Sequence, residues 1–259
     1  MDEPLQILHR DDELVAVRKP AGMLVHRGMG ASRGETFLLQ AVRDLVGAWV
    51  YPVHRLDRPT EGVVVFALDP STARTLQESW QDGTVRKTYE AIVRGWLRES
   101  EGIRDEALDS PDNGALQEAQ TRWSELERLE IPWSCGPHPG LRLALMRLEP
   151  LTGRWHQLRR HLARMGHPIA GDTTHGDRHV NHLLRDRLGW WRLHLEAVRL
   201  EIPRPGGRGD LVLDARPQGD GAVRGLWEAL RGHAAAGAST PVLTESVQES
   251  PDGLSCGNL

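Results

Sequence analysis

Residues 54–58, His-Arg-Leu-Asp-Arg, bring together the side chains of this sequence that are best suited to chemistry. A Pro-Thr-Glu-Gly turn follows, and then the apolar run 63–68, which is short enough to be a buried β-strand. A carboxylate flanked by two guanidiniums at the edge of a rigid strand stays ionised and reactive. Asp57, between Arg55 and Arg58, is therefore the candidate catalytic residue. The alternative for these residues alone is a surface loop of salt-bridged charges.

The bulk composition predicts an ordinary soluble globular protein. The chain has 259 residues, 39% hydrophobic and 26% charged, which is enough for one large domain or two small subdomains. No apolar run approaches membrane-spanning length, and the acidic N-terminus lacks the apolar core of a signal peptide. The two cysteines, Cys135 and Cys256, are far apart in the sequence. A disulfide framework is therefore not expected, and the cytoplasm is the predicted compartment.

Positive charge is concentrated in one part of an acidic chain. The net charge is −4, yet residues 140–199 hold eleven arginines against five acidic residues. Lysine occurs only as Lys19 and Lys87. The preference for arginine suits planar, bidentate recognition, and it is equally compatible with a GC-rich genome.

Hydrophobic periodicity predicts a mixture of strands and helices. Strands are predicted at residues 5–19 (two around a turn), 63–68, 86–93, 141–148, 191–202 and 211–213. Helices are predicted at residues 36–46, 70–80, 154–165 and 222–231. Loops are predicted at residues 102–114 and 169–181, residues 121–129 fit either a helix or a strand, and residues 232–259 are predicted to be mostly disordered.

Three separated segments resemble the RluA-type pseudouridine synthases. The first is the His-Arg-Leu-Asp segment with Thr60 and Gly62, and the second is Arg-Lys-Thr-Tyr-Glu-Ala at residues 86–91. The third, residues 148–176, contains Thr-Gly-Arg-Trp-His-Gln-Leu-Arg and, further on, Gly-Asp-Thr-Thr-His-Gly. With the signals between them, the resemblance covers roughly residues 5–215. It implies the pseudouridine synthase fold, an α+β structure with a mixed, mainly antiparallel sheet, flanking helices and a central catalytic cleft.

Within that family, the chain is similar to the branch that acts on uridine 65 of tRNA. The similarity is carried by residues 15–20, 25–27, 58–59 and 159–162. It implies a tRNA substrate that is modified in its acceptor and T-arm region. Ribosomal RNA is the alternative substrate, because relatives with nearly the same catalytic segments act on it. Glu61 departs from the pattern, because the family usually has serine there, and it is expected to place an acid beside the site.

The resemblance also implies roles for individual residues. Asp57 would be the nucleophile, or the base that removes a sugar proton, and Tyr89 would stack on the target base. Arg154 would be the guanidinium that keeps Asp57 ionised, with Arg58 as the alternative partner. Arg55 would fill the gap that the flipped base leaves in the RNA. RNA-binding residues are expected to be Arg55, Arg58, Lys87, Arg159 and Arg160.

The expected organisation is a single catalytic domain at residues 1–231, without a separate N-terminal RNA-binding module, followed by a tail at residues 232–259. The isomerisation requires only a well-placed carboxylate, and no glycine-rich nucleotide-binding fingerprint has the correct spacing. The sequence therefore predicts a monomer that uses no metal, nucleotide or other cofactor and has no membrane partner.

Two other functions fit parts of the sequence. A metal-dependent hydrolase would bind its metal in the histidine-rich loop, although no HExxH-type pattern is present. The candidate ligands there are Asp172, His175, Asp177, His179 and His182. An RNA-binding module without catalysis would use the arginine-rich segment and the tryptophans, but the intact set of catalytic candidates argues against it.

Overall fold

Strand-forming segments build most of the chain into one β-sheet. The computed structural model describes residues 5–27, 35–204, 209–216 and 222–238. The strands are Ile7–Arg10 (β1), Leu14–Lys19 (β2), Tyr51–Pro52 (β3), Glu61–Ala67 (β4), Arg86–Arg94 (β5), Glu101–Asp105 (β6), Leu108–Asp109 (β7), Leu116–Gln117 (β8), Gln120–Ile131 (β9), Leu141–Pro150 (β10), Leu195–Pro203 (β11) and Asp210–Asp214 (β12). The helices are Leu38–Val46 (α1), Pro70–Gln81 (α2), Gln157–Arg164 (α3), Arg178–Leu188 (α4) and Ala222–Ala238 (α5).

The sheet is mixed and mainly antiparallel. Within the described residues, ten strands form one sheet whose main path runs β1-β2-β4-β11-β5-β10-β9-β6. β3 pairs with β4, β12 pairs with β11, and β7 and β8 form a separate hairpin. The pairs in the large sheet are antiparallel, apart from the parallel pair of β4 and β11. The predicted α+β fold is confirmed.

Strand β4, which directly follows the Asp57 segment, is buried on both faces. Val63 and Val65 pack into a cluster with residues of α2, whereas Val64 and Phe66 pack into a second cluster with residues of α1. Each fully buried side chain of this size contributes about 1.5–3 kcal/mol relative to an exposed one. The strand is therefore a rigid support for the loop that precedes it.

Gly62 allows β4 to approach β11 closely. It has φ of +119°, and a Cβ atom at this position would lie 2.2 Å from the carbonyl oxygen of Ala197 on β11. Any side chain here would push the two parallel strands apart. The end of β4 that holds the Asp57 loop would move with them.

Local capping signals place two helices as predicted. Asp69 accepts hydrogen bonds from the backbone N–H groups of Ser71 (2.8 Å) and Thr72 (3.0 Å), with Pro70 in the first turn of α2. Helix α1 ends at Gly47, which adopts the left-handed conformation. Both features are readable from short sequence spacing, because each is made by neighbours in the chain.

The predicted loop at residues 102–114 is wrong over part of its length. It contains most of β6 and all of β7, and residues 121–129, which fitted either element, lie in β9. Strand β9 pairs with β10 on one side and with β6 on the other. Cross-strand pairing at long range therefore overrides the local polarity and the helix-like spacing.

Helix α4 is absent from the sequence predictions, and the strand predicted at residues 191–202 begins only at Leu195. Asp177 caps α4 by accepting the backbone N–H groups of His179 and Val180, and Gly189 ends it. Val180 and Leu184 pack into the core. The Asp and Gly signals were present but were obscured by the surrounding Gly, Asp and His residues, which are typical of loops.

The last helix is longer than predicted. Helix α5 continues to Ala238, so residues 232–238 are helical rather than part of a disordered tail. Residues 239–259 lie outside the described residues. The division into a catalytic domain and a tail remains a prediction. Among the described helices, none is long and apolar enough to cross a membrane.

Candidate active site

A cleft of about 810 Å³ collects the residues that were predicted to carry the chemistry. Its walls come from the loop before β4, strand β5, the β7–β8 hairpin, and the segment that joins β10 to α3. The volume lies within the range of about 300–1,000 Å³ that is usual for ligand sites. The cleft is therefore large enough to admit a nucleotide.

Asp57 faces this cleft from a loop that the backbone holds in place. Its side chain is 23% exposed. The carbonyl oxygen of Asp57 accepts a hydrogen bond from the backbone N–H of Thr60 (3.0 Å). The next carbonyl, of Arg58, accepts hydrogen bonds from the backbone N–H of Gly22 (2.8 Å) and from Nζ of the buried Lys19 (3.0 Å). The backbone of the loop is therefore held by hydrogen bonds that do not involve the carboxylate.

Arg159 is the guanidinium beside Asp57. Its Nη1 lies 3.5 Å from Oδ2 of Asp57, while its Nε and Nη2 donate to the two carboxylate oxygens of Asp172 at 2.7 and 2.8 Å. The side chains of Arg159 and Asp172 are 4% and 0% exposed. This bidentate pair orients Arg159 so that its third nitrogen points to Asp57.

Asp172 stays ionised although it is buried. Burial opposes its charge, but the hydrogen bonds from Arg159 and from the backbone N–H groups of His175 and Thr174 outweigh burial and lower the pKa of Asp172. Two carboxylates therefore share one buried guanidinium, and only Asp57 faces the cleft.

His156 adjoins the same group as a neutral imidazole. Burial is the largest cause that lowers the pKa of His156 to about 4, and nearby Arg159 adds to it. Its Nε2 lies 2.9 Å from Nη1 of Arg159, which can only donate, so Nε2 is the acceptor and Nδ1 carries the hydrogen. Nδ1 then donates to Nε2 of His175 at 3.0 Å. The 3.8 Å approach of His156 to Asp57 is consequently not an ion pair at neutral pH.

Tyr89 and Lys87 reach the cleft from strand β5. Burial, followed by the negative charge of Asp57, raises the pKa of Tyr89 well above its usual range, so the phenol keeps its proton. Lys87 Nζ donates to the carbonyl oxygen of Thr152 (3.4 Å), and burial lowers the pKa of Lys87. The cleft therefore contains one planar phenol and one partly buried ammonium group near Asp57.

The predicted pairing of Asp57 with Arg154 is not present. Arg154 lies before α3, is exposed, and donates from Nε to the carbonyl oxygen of Glu118 (2.9 Å). It lines the cleft but makes no ion pair with Asp57 among the described residues. The helix begins at Gln157, after His156 takes the left-handed conformation with φ of +50°. This turn separates Arg154 from the helix face that carries Arg159.

Arg159 and Arg160, which were expected to bind RNA, do not lie on an exposed face of α3. Both residues are buried, and Arg160 donates to the carbonyl oxygen of Asp109 (2.9 Å) and to its carboxylate. Arg164 donates to the carboxylate of Glu106 at 2.9 Å. Acidic residues of the segment at residues 106–109 thus pair with Arg160 and Arg164. Direct RNA contacts by Arg159 and Arg160 remain untested predictions, and their burial does not favour them.

Arg55 and Arg58 are the exposed arginines of the loop that precedes β4 and carries Asp57. Arg55 lines the cleft and forms no ion pair within the part of the chain that the structure describes. Arg58 also lines the cleft, donates from Nε to the carbonyl oxygen of Gly22 (3.0 Å), and pairs with Glu35 (2.8 Å). Arg55 is therefore the freer of the two to meet a ligand.

Glu61 does not present an acid in the cleft. Its carboxylate is buried and accepts a hydrogen bond from Nη1 of Arg192 at 2.9 Å. Its neighbour across the parallel strands, Glu196, pairs with Arg18 at 2.5 Å. The glutamate in place of serine is thus paired with Arg192 and does not belong to the lining of the cleft.

The residues proposed as metal ligands in the histidine-rich loop make local structural contacts instead of forming a metal-binding cluster. Asp177 caps α4, His179 and His182 lie on that helix, and Asp172 binds Arg159. Within the described ranges, no group of three or more His, Cys, Asp or Glu side chains has a geometry that could hold a metal ion. No observation favours the hydrolase alternative.

His156, Asp172 and Trp155 line or support the cleft around Asp57, and the sequence predicted no role in the isomerisation for any of them. All three lie in the segments that carried the family resemblance, but spacing alone does not reveal which side chains meet. Asp172 is the acid of the Gly-Asp-Thr-Thr-His-Gly motif at residues 171–176, and that motif was the sequence signal that could have indicated it.

His54 provides a pH-dependent stability prediction. It stacks on Trp80 (ring centroids 4.6 Å apart) and accepts the backbone N–H of Val65, and burial, then the charge of Lys87, lowers its pKa to about 3. Unfolded His54 regains the ordinary pKa of about 6.5 and binds a proton between these values, so stability falls as pH drops below 6.5. We expect His54 to remove about 2 kcal/mol of unfolding free energy between pH 7 and pH 5.

Urea unfolding at both pH values would measure this effect. His54→Gln keeps an acceptor for the Val65 N–H but does not titrate, so it should lose about 2 kcal/mol less than the wild type over the same pH interval. An equal loss in both proteins would show that His54 is not held neutral by the fold.

Comparison with known proteins supports the family resemblance independently of the geometry of the site. Residues 13–164 match the family described as RNA pseudouridylate synthase. A protein of Vibrio parahaemolyticus named tRNA pseudouridine synthase C is 43% identical over 221 residues, which cover 82% of this chain and 89% of that protein. A protein of the same name from Haemophilus ducreyi is 44% identical over 209 residues, covering 78% and 86% of the two chains.

Two solved structures share the fold. The human RNA pseudouridylate synthase domain containing 1 superposes with a TM-score of 0.66 at 24% identity, over 88% of this chain and 94% of that one. The human RNA pseudouridylate synthase domain containing 4 gives a TM-score of 0.62 at 29% identity, over 82% and 88% of the two chains.

Proposed function

This chain belongs to the RNA pseudouridylate synthase family, and on that premise we propose that it isomerises a uridine of tRNA to pseudouridine with Asp57 as its catalytic carboxylate. The assignment of Asp57 as the catalytic carboxylate rests on its position. It is the carboxylate that faces the cleft beside a buried guanidinium, and that guanidinium is fixed from behind by Asp172.

The reaction is balanced without any redox partner. The N1–C1′ bond of uridine breaks, the base rotates, and a C5–C1′ bond forms. C5 loses its proton and N1 gains one, so substrate and product have the same composition. An ionised Asp57 either attacks C1′ or removes a proton from the sugar, and both roles need a carboxylate that is held without its proton. Arg159 stabilises that charge.

Tyr89 has the properties needed to stack on the target base. Its phenol keeps its proton and lies close enough to Asp57 for that charge to raise its pKa. A flipped uridine needs a planar apolar face and a hydrogen-bonding group, and a neutral tyrosine supplies both. Arg55 is exposed on the loop that carries Asp57 and lines the cleft, which supports the proposal that it occupies the gap left by the flipped base.

The choice of tRNA rests on the relatives, since proteins named tRNA pseudouridine synthase C are 41–44% identical to this chain over most of its length. The finer expectation is uridine 65, in the acceptor and T-arm region, as the similarity of Arg58-Pro59 to that branch suggests. The free thiol of Cys135 is compatible with a cytoplasmic location.

The deciding experiment supplies purified protein with unmodified tRNA transcripts and with ribosomal RNA fragments, with no added metal or nucleotide. Pseudouridine should appear in the tRNA, at position 65, and should be absent when that uridine is replaced by cytidine. Pseudouridine only in ribosomal RNA would overturn the tRNA assignment and leave the reaction type standing. Conversion of neither RNA would overturn the function.

RNA affinity should fall steeply as salt rises, despite the acidic net charge. Cationic side chains that line the cleft near Asp57 include Arg55, Arg58, Lys87 and Arg154. Each phosphate contact contributes about −0.7 to −0.9 to the slope of log K against log salt, so three or four contacts predict a slope of about −2 to −4.

Two arginine variants test whether the cleft makes these phosphate contacts. Arg55→Ala should reduce the magnitude of the slope by about 1, whereas Arg231→Ala, which removes an arginine from α5 away from the cleft, should leave it unchanged. Filter binding from low to high salt would measure both. An affinity independent of salt, or equal slope changes in the two variants, would contradict the cleft as the phosphate-binding region.

A further inference from the structure

Trp155 is an exposed aromatic side chain in the catalytic cleft to which the chemistry above assigns no task. It is 39% exposed and lines the cleft together with Asp57 and Tyr89. Trp49 and Trp191 are also exposed, at 67% and 75%, but neither belongs to the described lining of the cleft. Trp155 therefore differs from them in its place beside the reacting groups.

The indole of Trp155 is held in one orientation. It stacks on the ring of His156 with centroids 3.8 Å apart and an interplanar angle of 17°. The ring of His175 is nearly perpendicular to it, with centroids 6.1 Å apart, and the guanidinium of Arg160 lies 5.6 Å from the centroid of the indole. His156 is fixed in turn by Arg159 and His175, and Arg159 by Asp172. The same framework that aims Arg159 at Asp57 thus fixes Trp155, so little side-chain entropy is lost when a ligand contacts the indole.

The part of the indole that stays exposed in the cleft suits contact with a nucleobase. Every base offers a flat face to an aromatic ring, and this contact does not depend on hydrogen-bond pattern. When the target uridine leaves the stack, its neighbour loses a stacking partner on one side. Tyr89 is already assigned to the target base, so the indole is available for that neighbour.

We propose that Trp155 is an RNA-binding residue that stacks on an unpaired nucleobase flanking the target uridine. The inference rests on the proposed function, because the ligand it names is the RNA substrate. Trp155 would then contribute to substrate affinity, and the carboxylate chemistry would not depend on it.

The test compares Trp155→Ala, Trp155→Phe and Trp155→Leu by fluorescence anisotropy with a labelled, unmodified tRNA transcript. Loss of one base–aromatic stack predicts that Kd rises about 5- to 150-fold in the alanine variant. Phenylalanine keeps an aromatic face and should restore most of the affinity, whereas leucine should not. Trp191→Ala is the matched control, and its Kd should change by no more than about twofold.

Turnover at saturating RNA separates stacking from structural support, with thermal unfolding as a check on folding. If Trp155 only holds His156 and Arg159 in position, Trp155→Ala will lower kcat at an unchanged Kd. This outcome overturns the proposal. An unchanged Kd together with an unchanged kcat overturns it as well and leaves the proposed function intact. If the wild type binds RNA but forms no pseudouridine, the proposed function fails, and the Kd series still decides the role of Trp155.

Discussion

Asp57→Asn is expected to reduce turnover to less than about a thousandth of the wild-type rate. The amide has the shape of the carboxylate but can act neither as a nucleophile nor as a base. The loop should keep its conformation, because it is held by the backbone carbonyls of Asp57 and Arg58 and not by the carboxylate. RNA affinity should therefore remain close to that of the wild type.

Single-turnover conversion of unmodified tRNA, with Kd measured alongside, would check this expectation. Asp112→Asn makes the same chemical change at an exposed carboxylate elsewhere on the cleft wall and should leave turnover nearly unchanged. Turnover of Asp57→Asn above about a thousandth of wild type would remove Asp57 from the catalytic role. Equal losses in both variants would point to a general effect of charge.

Arg159→Met is expected to lower activity by about a hundredfold or more, because Asp57 loses the cation that stabilises its charge. It should also destabilise the fold by about 3–5 kcal/mol, since Asp172 is left as a buried carboxylate without its partner. Arg159→Lys keeps the charge but lacks the planar fork, so it should retain the fold better and lose less activity.

The contrast with Arg154→Met decides which guanidinium serves Asp57. Arg154 is exposed and hydrogen-bonded to a backbone carbonyl, so its substitution should weaken RNA binding and leave turnover at saturating RNA largely intact. Single-turnover rates should be measured at a temperature where circular dichroism shows each variant folded. A greater loss of turnover in Arg154→Met than in Arg159→Lys would restore the pairing expected from the sequence resemblance.

Features made by neighbours in the chain were predictable from the sequence. The cap of α2 at Asp69 and the apolar run of β4 depend on spacings of a few residues, and the structure contains both. The catalytic loop was recognisable for the same reason, because a carboxylate between two arginines before a buried strand is a local pattern. Periodicity thus indicated the mixture of strands and helices, and the family resemblance indicated the fold with its cleft.

The contacts of the site were decided only by the tertiary structure. Asp57 and Arg159 are 102 positions apart in the chain. Which arginine contacts Asp57 depends on the left-handed turn at His156 and on the start of α3 at Gln157. A shift of a few residues in a helix start rotates every side chain on it, and helix boundaries are the feature that spacing defines least well.

Which charged side chains are paired also could not be predicted from the sequence. Residues 140–199 have a surplus of arginine, yet Arg160 and Arg164 pair with Asp109 and Glu106, and Arg192 pairs with Glu61. These acids lie outside the counted segment, so a local charge count could not include them. Electrostatics depends on distance in space, and only the packing of the β7–β8 region against α3 and of Arg192 against β4 determined which charges meet.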